Sequence, residues 1–181
     1  KPIVLTGSMR PATALSPDGP ANLFHAVQVC ASANASGRGV LVVMNGEILP
    51  ALHLVKRHSI ATNAFTSSPA GPLGRVYSGR TSFFSGPTKV ALAGAFGISL
   101  ANDVTLPAVD IHYVAAGSSH AGLLSCDWTE RNGLVIAGFG SGEIPDGLVP
   151  EINRLADEGI TIVVSSRVAG VVVLPETMTL T

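Results

Sequence analysis

The sequence predicts an α/β protein with two parallel-sheet domains. A strand–helix–strand pattern occupies the first 45 residues, and a strand–helix–strand–helix–strand series begins at Ala108. Between these two patterns, residues 66–107 are rich in Gly, Ser and Pro. Strands that alternate with helices are typical of parallel sheets covered by helices. With 46% hydrophobic and 13% charged residues, the 181-residue chain can bury a core.

The N-terminal pattern begins with a strand at residues 2–7, where consecutive apolar and β-branched residues precede a glycine. A helix is predicted at about residues 20–33, because Asp18 can serve as its N-cap and Pro20 suits its first turn. Residues 39–45 form the next predicted strand. This βαβ unit implies parallel pairing and a right-handed crossover.

The predicted helix has one apolar face, on which Leu23, Val27, Cys30 and Ala31 recur at helical spacing. We therefore expect Cys30 to be a buried thiol. The other cysteine, Cys126, is distant in sequence. The two cysteines form neither a C-x-x-C motif nor a disulfide framework.

The chain is predicted to divide into an N-terminal domain at residues 1–75, a linker at 76–106 and a C-terminal domain at 107–181. Residues 75–77 and 81–84 predict a small hairpin in or beside the linker. The N-terminal domain is expected to be partial, and the C-terminal domain to be smaller, flavodoxin-like or Rossmann-like, and truncated.

The predicted C-terminal domain contains three strands and two helices, each bounded by glycine, serine or proline. Ser118 or Ser119 is the expected cap of its first helix. The predicted elements are strand 109–114, helix 119–131, strand 134–137, helix 148–158 and strand 160–165.

Composition disfavours several classes of partner. The net charge is -1, and the eleven Lys and Arg residues are scattered, so the chain lacks the basic stripe that binds nucleic acid or an anionic membrane. The longest apolar runs have the length of a strand, and no signal peptide is visible. The five histidines are not spaced as metal ligands, so we predict no metal and no cofactor.

Ligands of parallel α/β sheets bind at the carboxyl ends of the strands, which directs attention to the loops there. Arg10, in G-S-M-R-P, could bind a carboxylate or could brace its own loop, for example through Asp18. Lys56 is followed directly by Arg57 and His58. A lysine crowded by cations can serve as a neutral base, and a solvated basic patch is the alternative interpretation.

Two further loops have polar residues at strand ends. The segment A-G-F-G-S-G-E-I-P, residues 137–145, resembles a phosphate loop. It lacks a Walker lysine, and Glu143 would repel phosphate, so a glycine loop that admits a substrate is favoured over a nucleotide site. Arg167, in S-S-R-V, is expected to end a strand and to pair with an acid.

Several segments together resemble bacterial L-asparaginases and glutaminase-asparaginases. The run V-L-T-G-S-M-R-P-A-T-A-L-S-P-D-G-P-A-N-L is similar to the family's V-G-[AS]-M-R-P-x-[ST]-x-x-[SA]-x-D-G-x-x-N-L segment. The runs G-V-L-V-V-M-N-G-E-I and L-P-A-V-D-I-H-Y match two further family segments. The A-G-x-G-x-G and S-S-R-V motifs follow in the expected order.

The resemblance implies hydrolysis of the side-chain amide of asparagine or glutamine through a threonine acyl-enzyme. The family's nucleophile motif, T-G-G-T-I, and its G-T-D-T motif do not occur in these residues and would precede Lys1. Lys56 aligns with the catalytic lysine, which supports the second threonine. We expect the chain by itself to be inactive, and a non-catalytic amino-acid-binding module of the same fold is the alternative.

The resemblance also implies residues that bind substrate across a homotetramer built as a dimer of dimers. In the family's glycine loop, G-x-G-N-G-[NS], the last polar residue reaches a neighbouring subunit. Ser141 and Glu143 occupy the two variable positions, so a charge replaces an amide. Glu176 lies where the family has an acidic substrate-binding residue. The predicted location is periplasmic or secreted rather than cytoplasmic.

Overall fold

The computed structural model of the chain describes residues 1–86, 105–170 and 172–173. It divides into two compact units, Lys1–Gly97 and Ile98–Thr181. Both units combine strands with helices, which confirms the predicted α/β class.

The described part of the first unit, residues 1–86, contains one α-helix and seven strands. Five strands form a sheet in the order β1-β2-β3-β6-β7, and β4 pairs with β5 in a separate hairpin. The elements are β1 (Ile3–Leu5), α1 (Gly19–Ala31), β2 (Val40–Met44), β3 (Glu47–Pro50), β4 (Leu54–Lys56), β5 (Phe65–Ser67), β6 (Gly74–Tyr77) and β7 (Arg80–Phe83).

The five-stranded sheet is mixed, although a parallel sheet was expected. Strands β1 and β2 pair in parallel and flank α1, as predicted for the βαβ unit. The other pairings of this sheet are antiparallel. The first reversal is a two-residue turn in which Asn45 and Gly46 have φ values of 52° and 73°. A tight turn of this kind joins antiparallel strands and leaves no room for a crossover helix.

The predicted hairpin forms, but it belongs to the first unit's sheet. Strands β6 and β7 are joined through Ser78 and Gly79, and β6 also pairs with β3, where Arg75 forms a salt bridge of 2.9 Å with Glu47. The linker predicted at 76–106 therefore begins too early, because its first residues complete a sheet. Residues 87–104 lie outside the described part of the chain.

Helix α1 buries a different face from the predicted one. Its buried residues are Asn22, Ala26 and Val29, whereas Leu23 and Val27 are about 60% exposed. Cys30 is also exposed, so the prediction of a buried thiol is wrong. The polar Asn22 faces the sheet because it hydrogen-bonds to the ends of β1 and β2, and these bonds set the rotation of the helix.

Strand β2 has apolar contacts on both faces and forms the centre of the first unit's core. Alternate residues of a strand point to opposite faces. Leu41 and Val43 pack on the α1 side with Ala26, Val29, Ile48, Leu73 and Val76. Val42 and Met44 pack on the other side with Leu49, Met9, Ala51, Leu54 and Phe65.

The second unit contains a three-stranded parallel sheet in the order β10-β9-β8, as the sequence predicted. Its core combines residues of the sheet and of the last helix, including Ile136, Ile152 and Leu155. Its elements are β8 (Val109–Tyr113), α2 (Ala121–Leu124), β9 (Gly133–Gly138), α3 (Val149–Asp157) and β10 (Thr161–Ser166).

Helix α2 is much shorter than the predicted helix at 119–131. Asp127 accepts hydrogen bonds from the backbone N–H and the hydroxyl of Thr129, at 3.0 and 2.7 Å. Such local bonds compete with the helical hydrogen bonds and favour a turn. The indole of Trp128 donates to the carbonyl of Leu123, which folds the chain back onto the helix. Across the described ranges, no helix is both long and apolar enough to cross a bilayer.

Candidate functional site

The loop after β1 is held by a carboxylate. Asp18 accepts hydrogen bonds from the backbone N–H groups of Met9 and Arg10, the shortest at 3.0 and 2.9 Å. The Arg10 guanidinium donates to the carbonyl of Ser16 within the same loop, at 3.0 Å. These bonds favour the bracing interpretation of Arg10 over carboxylate binding.

Burial acts to raise the pKa of Asp18, but the hydrogen bonds from Met9, Arg10 and Asn22 outweigh it, so the pKa lies below its usual value.

Asn22 links three chain segments at the carboxyl end of the sheet. It is only 2% exposed. Its amide donates to the carbonyl of Gly7 and to the Asp18 carboxylate, both at 3.0 Å, and its oxygen accepts from the backbone N–H of Asn45 at 2.9 Å. Asn22 was not among the predicted site residues, although it is the asparagine of the family-like run D-G-P-A-N-L. Its place in that run, and its polar side chain between the apolar positions of the helix, are the signals that the sequence offers.

Lys56 is the last residue of β4 and is exposed to solvent. Its ammonium nitrogen lies 5.5 Å from the centre of the Phe65 ring, which is within the range of a cation–π contact. Phe65 is its cross-strand partner in β5 and packs against the cluster of Val42, Met44 and Leu49. The half-buried Phe65 ring therefore contacts one side of Lys56, and the ammonium group of Lys56 is exposed.

The chain turns back immediately after Lys56. The backbone N–H of Arg57 donates to the carbonyl of Ala64 at 2.7 Å, which closes the hairpin. Within the turn, the Nδ1 atom of His58 accepts from the backbone N–H groups of Ile60 and Ala61.

The glycine loop follows β9 in the second unit and is closed by its own backbone. Phe139 and Glu143 exchange two backbone hydrogen bonds of 2.9 Å, and the N–H of Gly142 also donates to the Phe139 carbonyl. Gly140 and Gly142 have φ values of 37° and 106°, which favour glycine. The N–H groups of Gly142 and Glu143 already have acceptors, so they are not presented to a phosphate, as a nucleotide loop would require.

The S-S-R-V segment at the end of β10 fastens the glycine loop. The Ser166 hydroxyl donates to the carbonyl of Gly140 at 2.6 Å. The Arg167 guanidinium lies 4.5 Å from the centre of the Phe139 ring and donates to the carbonyl of Val114 at 2.8 Å. Within the described ranges, Arg167 forms no ion pair with an acid, although the sequence suggested one.

Comparison with known proteins identifies the family. The family model described as "Asparaginase, N-terminal" matches residues 1–89, and the "Glutaminase/Asparaginase C-terminal domain" model matches residues 108–179. The chain belongs to the asparaginase family. The resemblance inferred from the sequence motifs is therefore confirmed.

Two curated relatives and one solved structure show the extent of the similarity. A glutaminase-asparaginase of Pseudomonas fluorescens biotype A is 39% identical over 169 residues, which are 93% of this chain and 46% of the relative. A probable periplasmic L-asparaginase of Haemophilus influenzae is 36% identical over 93% of this chain and 48% of the relative. The chain spans about half the length of these relatives.

The crystal structure of a probable cytoplasmic L-asparaginase from Campylobacter jejuni superposes with a TM-score of 0.84 at 36% identity, over 97% of this chain and 58% of that one. The names of the similar proteins thus include both a periplasmic and a cytoplasmic location. The predicted periplasmic or secreted location stays a prediction.

In this asparaginase-family chain, the structure places three of the four predicted site residues, one at a strand end and two in a loop. Lys56 lies at the end of β4 in the first unit, while Ser141 and Glu143 share the glycine loop of the second. Ser141 is half-buried and Glu143 is exposed. Glu176 lies outside the described residues. In the described parts of the chain, no cluster of His, Cys, Asp and Glu side chains could hold a metal ion.

Proposed function

We propose that the chain contributes the lysine of a site that hydrolyses the side-chain amide of asparagine or glutamine. The observation that supports this most directly is the position of Lys56. It matches the family's lysine in sequence, and its exposed ammonium group stands at the edge of a folded hairpin on a half-buried phenylalanine.

In the proposed reaction, a threonine hydroxyl attacks the amide carbon, ammonia leaves, and water cleaves the acyl-enzyme. Lys56 would hold or activate the second threonine of the group, beside an aspartate. The two threonine motifs do not occur in these 181 residues, so polypeptide outside them would supply the nucleophile. By itself, the chain would release negligible ammonia.

The glycine loop is proposed to bind substrate in a neighbouring subunit. Ser141 and Glu143 would project from it, and Glu176 would add a carboxylate from the same domain. A homotetramer built as a dimer of dimers would bring these groups to a partner's site. The Glu143 carboxylate would attract a substrate ammonium group and repel a substrate carboxylate, and would thereby alter substrate preference relative to an amide at this position.

The proposal can be tested with a chimera. The N-terminal part of the Pseudomonas fluorescens relative, with its threonine motifs, would be fused upstream of residues 1–181, and ammonia release from asparagine and glutamine would be measured. We expect turnover by the chimera and none by the chain alone. Lys56→Met should reduce turnover by at least about a hundredfold, which is typical for removal of a proton-transfer group. Arg57→Met, the matched control, should retain most of it.

Two outcomes would contradict the proposed function. One is substantial ammonia release by the chain alone that survives Lys56→Met. The other is a chimera that unfolds cooperatively and binds substrate, yet is equally active with and without Lys56.

A binding module that senses an amino acid is the second candidate. The charge of Glu143 in the glycine loop favours it. It predicts that asparagine, glutamine or another amino acid raises the melting temperature of the chain alone. Glu143→Gln should remove that shift. No shift with any amino acid would exclude this candidate.

A further inference from the structure

The turn that follows Lys56 is closed by an imidazole. His58 Nδ1 accepts hydrogen bonds from the backbone N–H groups of Ile60, at 3.0 Å, and Ala61, at 3.1 Å. One side-chain atom thus satisfies two consecutive backbone donors, much as an Asn or Asp side chain does in a turn or at a helix N-cap. The turn continues with a bond from the N–H of Ala64 to the carbonyl of Ala61 at 3.1 Å.

This geometry determines the tautomer of the neutral ring. A nitrogen that accepts hydrogen bonds has no proton, so the neutral ring must have its proton on Nε2. In the imidazolium ion both nitrogens are donors, and Nδ1 can no longer accept. Protonation of His58 is therefore incompatible with both bonds, whatever the pH at which it occurs.

The ionisable groups around His58 lie on its own hairpin, on the adjoining 3₁₀ turn and on strand β3. Lys56 and Arg57 precede it directly, so an imidazolium at 58 would be the third consecutive cation. Turn residues 59–64 and β5 have no ionisable side chains, and the adjoining 3₁₀ turn has His53. Strand β3, which packs against β5, has Glu47, and this carboxylate is already paired with Arg75.

We propose that neutral His58 is a positioning residue that closes the β4–β5 turn and thereby fixes the end of β4, where Lys56 stands. When His58 is protonated, the turn loses its acceptor and the backbone beside Lys56 is released. The effect of this turn on catalysis rests on the proposed function. The hydrogen bonds of the turn and their dependence on the protonation of His58 are independent of the proposed function.

The test uses the ¹⁵N-labelled chain and needs no turnover. Long-range ¹H–¹⁵N spectra of the imidazoles should show that neutral His58 has its proton on Nε2. As the pH is lowered until the imidazole signals show that His58 is protonated, the amide signals of Ile60 and Ala61 should shift with that protonation. Their exchange, relative to an unstructured peptide at the same pH, should become about two- to tenfold faster.

Variants separate the acceptor from the rest of the ring. His58→Asn keeps an acceptor at similar reach, so it should retain slow exchange at Ile60 and Ala61 and should abolish its pH dependence. His58→Ala should give fast exchange at all pH values. His53→Ala, the matched control in the preceding 3₁₀ turn, should behave like the parent chain.

A second signal reports on Lys56 itself. Reductive dimethylation with ¹³C labels Lys1, Lys56 and Lys89, and Lys56→Arg identifies the Lys56 signal. This signal, displaced by the ring of Phe65, should move as His58 is protonated and should not move in that pH range in His58→Asn.

Any of three results would overturn the proposal. The neutral ring could have its proton on Nδ1. The amide exchange rates of Ile60 and Ala61 could remain unchanged both on protonation of His58 and in His58→Ala. The Lys56 signal could stay fixed while the turn amides shift. Loss of amidase activity in the chimera with an intact His58 titration would instead count against the proposed function alone.

Discussion

The hairpin that presents Lys56 and the glycine loop that presents Glu143 are built in different ways. The hairpin turn depends on a side-chain acceptor, His58, and on an aromatic ring beneath the lysine. The glycine loop is closed mainly by backbone bonds between Phe139 and Glu143. In the hairpin, substitution of a side chain can change the shape of the site. In the glycine loop, the shape depends on glycines, so substitution of the exposed Glu143 side chain should leave it unchanged.

The largest loss of stability is expected where a new side chain would enter the glycine loop. A Cβ at Gly138 would lie 2.8 Å from the backbone oxygens of Gly142 and Glu143. Gly138→Ala should therefore destabilise the second unit by about 2 to 3 kcal/mol, measured by urea unfolding with the fluorescence of Trp128. In Gly147→Ala, the matched control, the new Cβ meets no atom within 4 Å. An equal loss in both variants would show that the close approach at Gly138 is unimportant.

Removal of the Arg167 contacts beside the glycine loop should cause an intermediate loss of stability. Arg167→Gln loses the contact with the Phe139 ring and the bond to the Val114 carbonyl. We expect a loss of about 1 to 2 kcal/mol in the same unfolding measurement. Arg131→Gln would serve as the control for loss of a surface arginine, because Arg131 pairs with Asp110 and the two side chains are 38% and 41% exposed. If both variants cost the same, the ring and carbonyl contacts of Arg167 contribute nothing specific.

The loop after β1, which Asp18 holds through hydrogen bonds to its carboxylate, should depend on pH, whereas the glycine loop, which is closed by backbone bonds, should not. The pKa of Asp18 is lowered in the folded chain, since hydrogen bonds from Met9, Arg10 and Asn22 outweigh the effect of burial. Its stabilisation is thus complete above the unfolded value of about 4 and is lost as the pH falls through the folded value.

The free-energy difference between the parent and Asp18→Asn should shrink as the pH falls below about 4. This difference in free energy is measured by urea unfolding, with amide exchange in the first unit as the signal. The difference caused by Gly138→Ala should not change over the same range, because that close approach involves no ionisable group. A pH-independent difference for Asp18→Asn would show that its carboxylate charge is not what holds the loop.

The smallest effect is expected at Glu143. Its side chain is exposed on a loop whose shape is set by the backbone. Glu143→Asn should change the free energy of unfolding by no more than about 0.5 kcal/mol, as measured with Trp128. In the active chimera, the same variant should alter the ratio of asparagine to glutamine turnover. A large loss of stability would show that the carboxylate is part of the loop's structure.

The sequence by itself determined the features that depend on local pattern. The βαβ start, the parallel strands of the second unit and helix α3 follow from apolar runs and helical spacing. The family followed from long motifs, and the same motifs assigned Lys56, Ser141 and Glu143 as site residues. Those assignments stay predictions.

Only the tertiary structure decided the features that depend on distant partners. The buried face of α1 is set by the bonds of Asn22 to Gly7 and Asn45, which are far apart in sequence, and so Cys30 is exposed. The β6–β7 hairpin was predicted, but its place in the sheet depends on its pairing with β3. The role of His58 depends on the direction of one ring nitrogen. Periodicity records which residues are apolar, whereas packing and hydrogen bonding between remote segments decide which of them are buried.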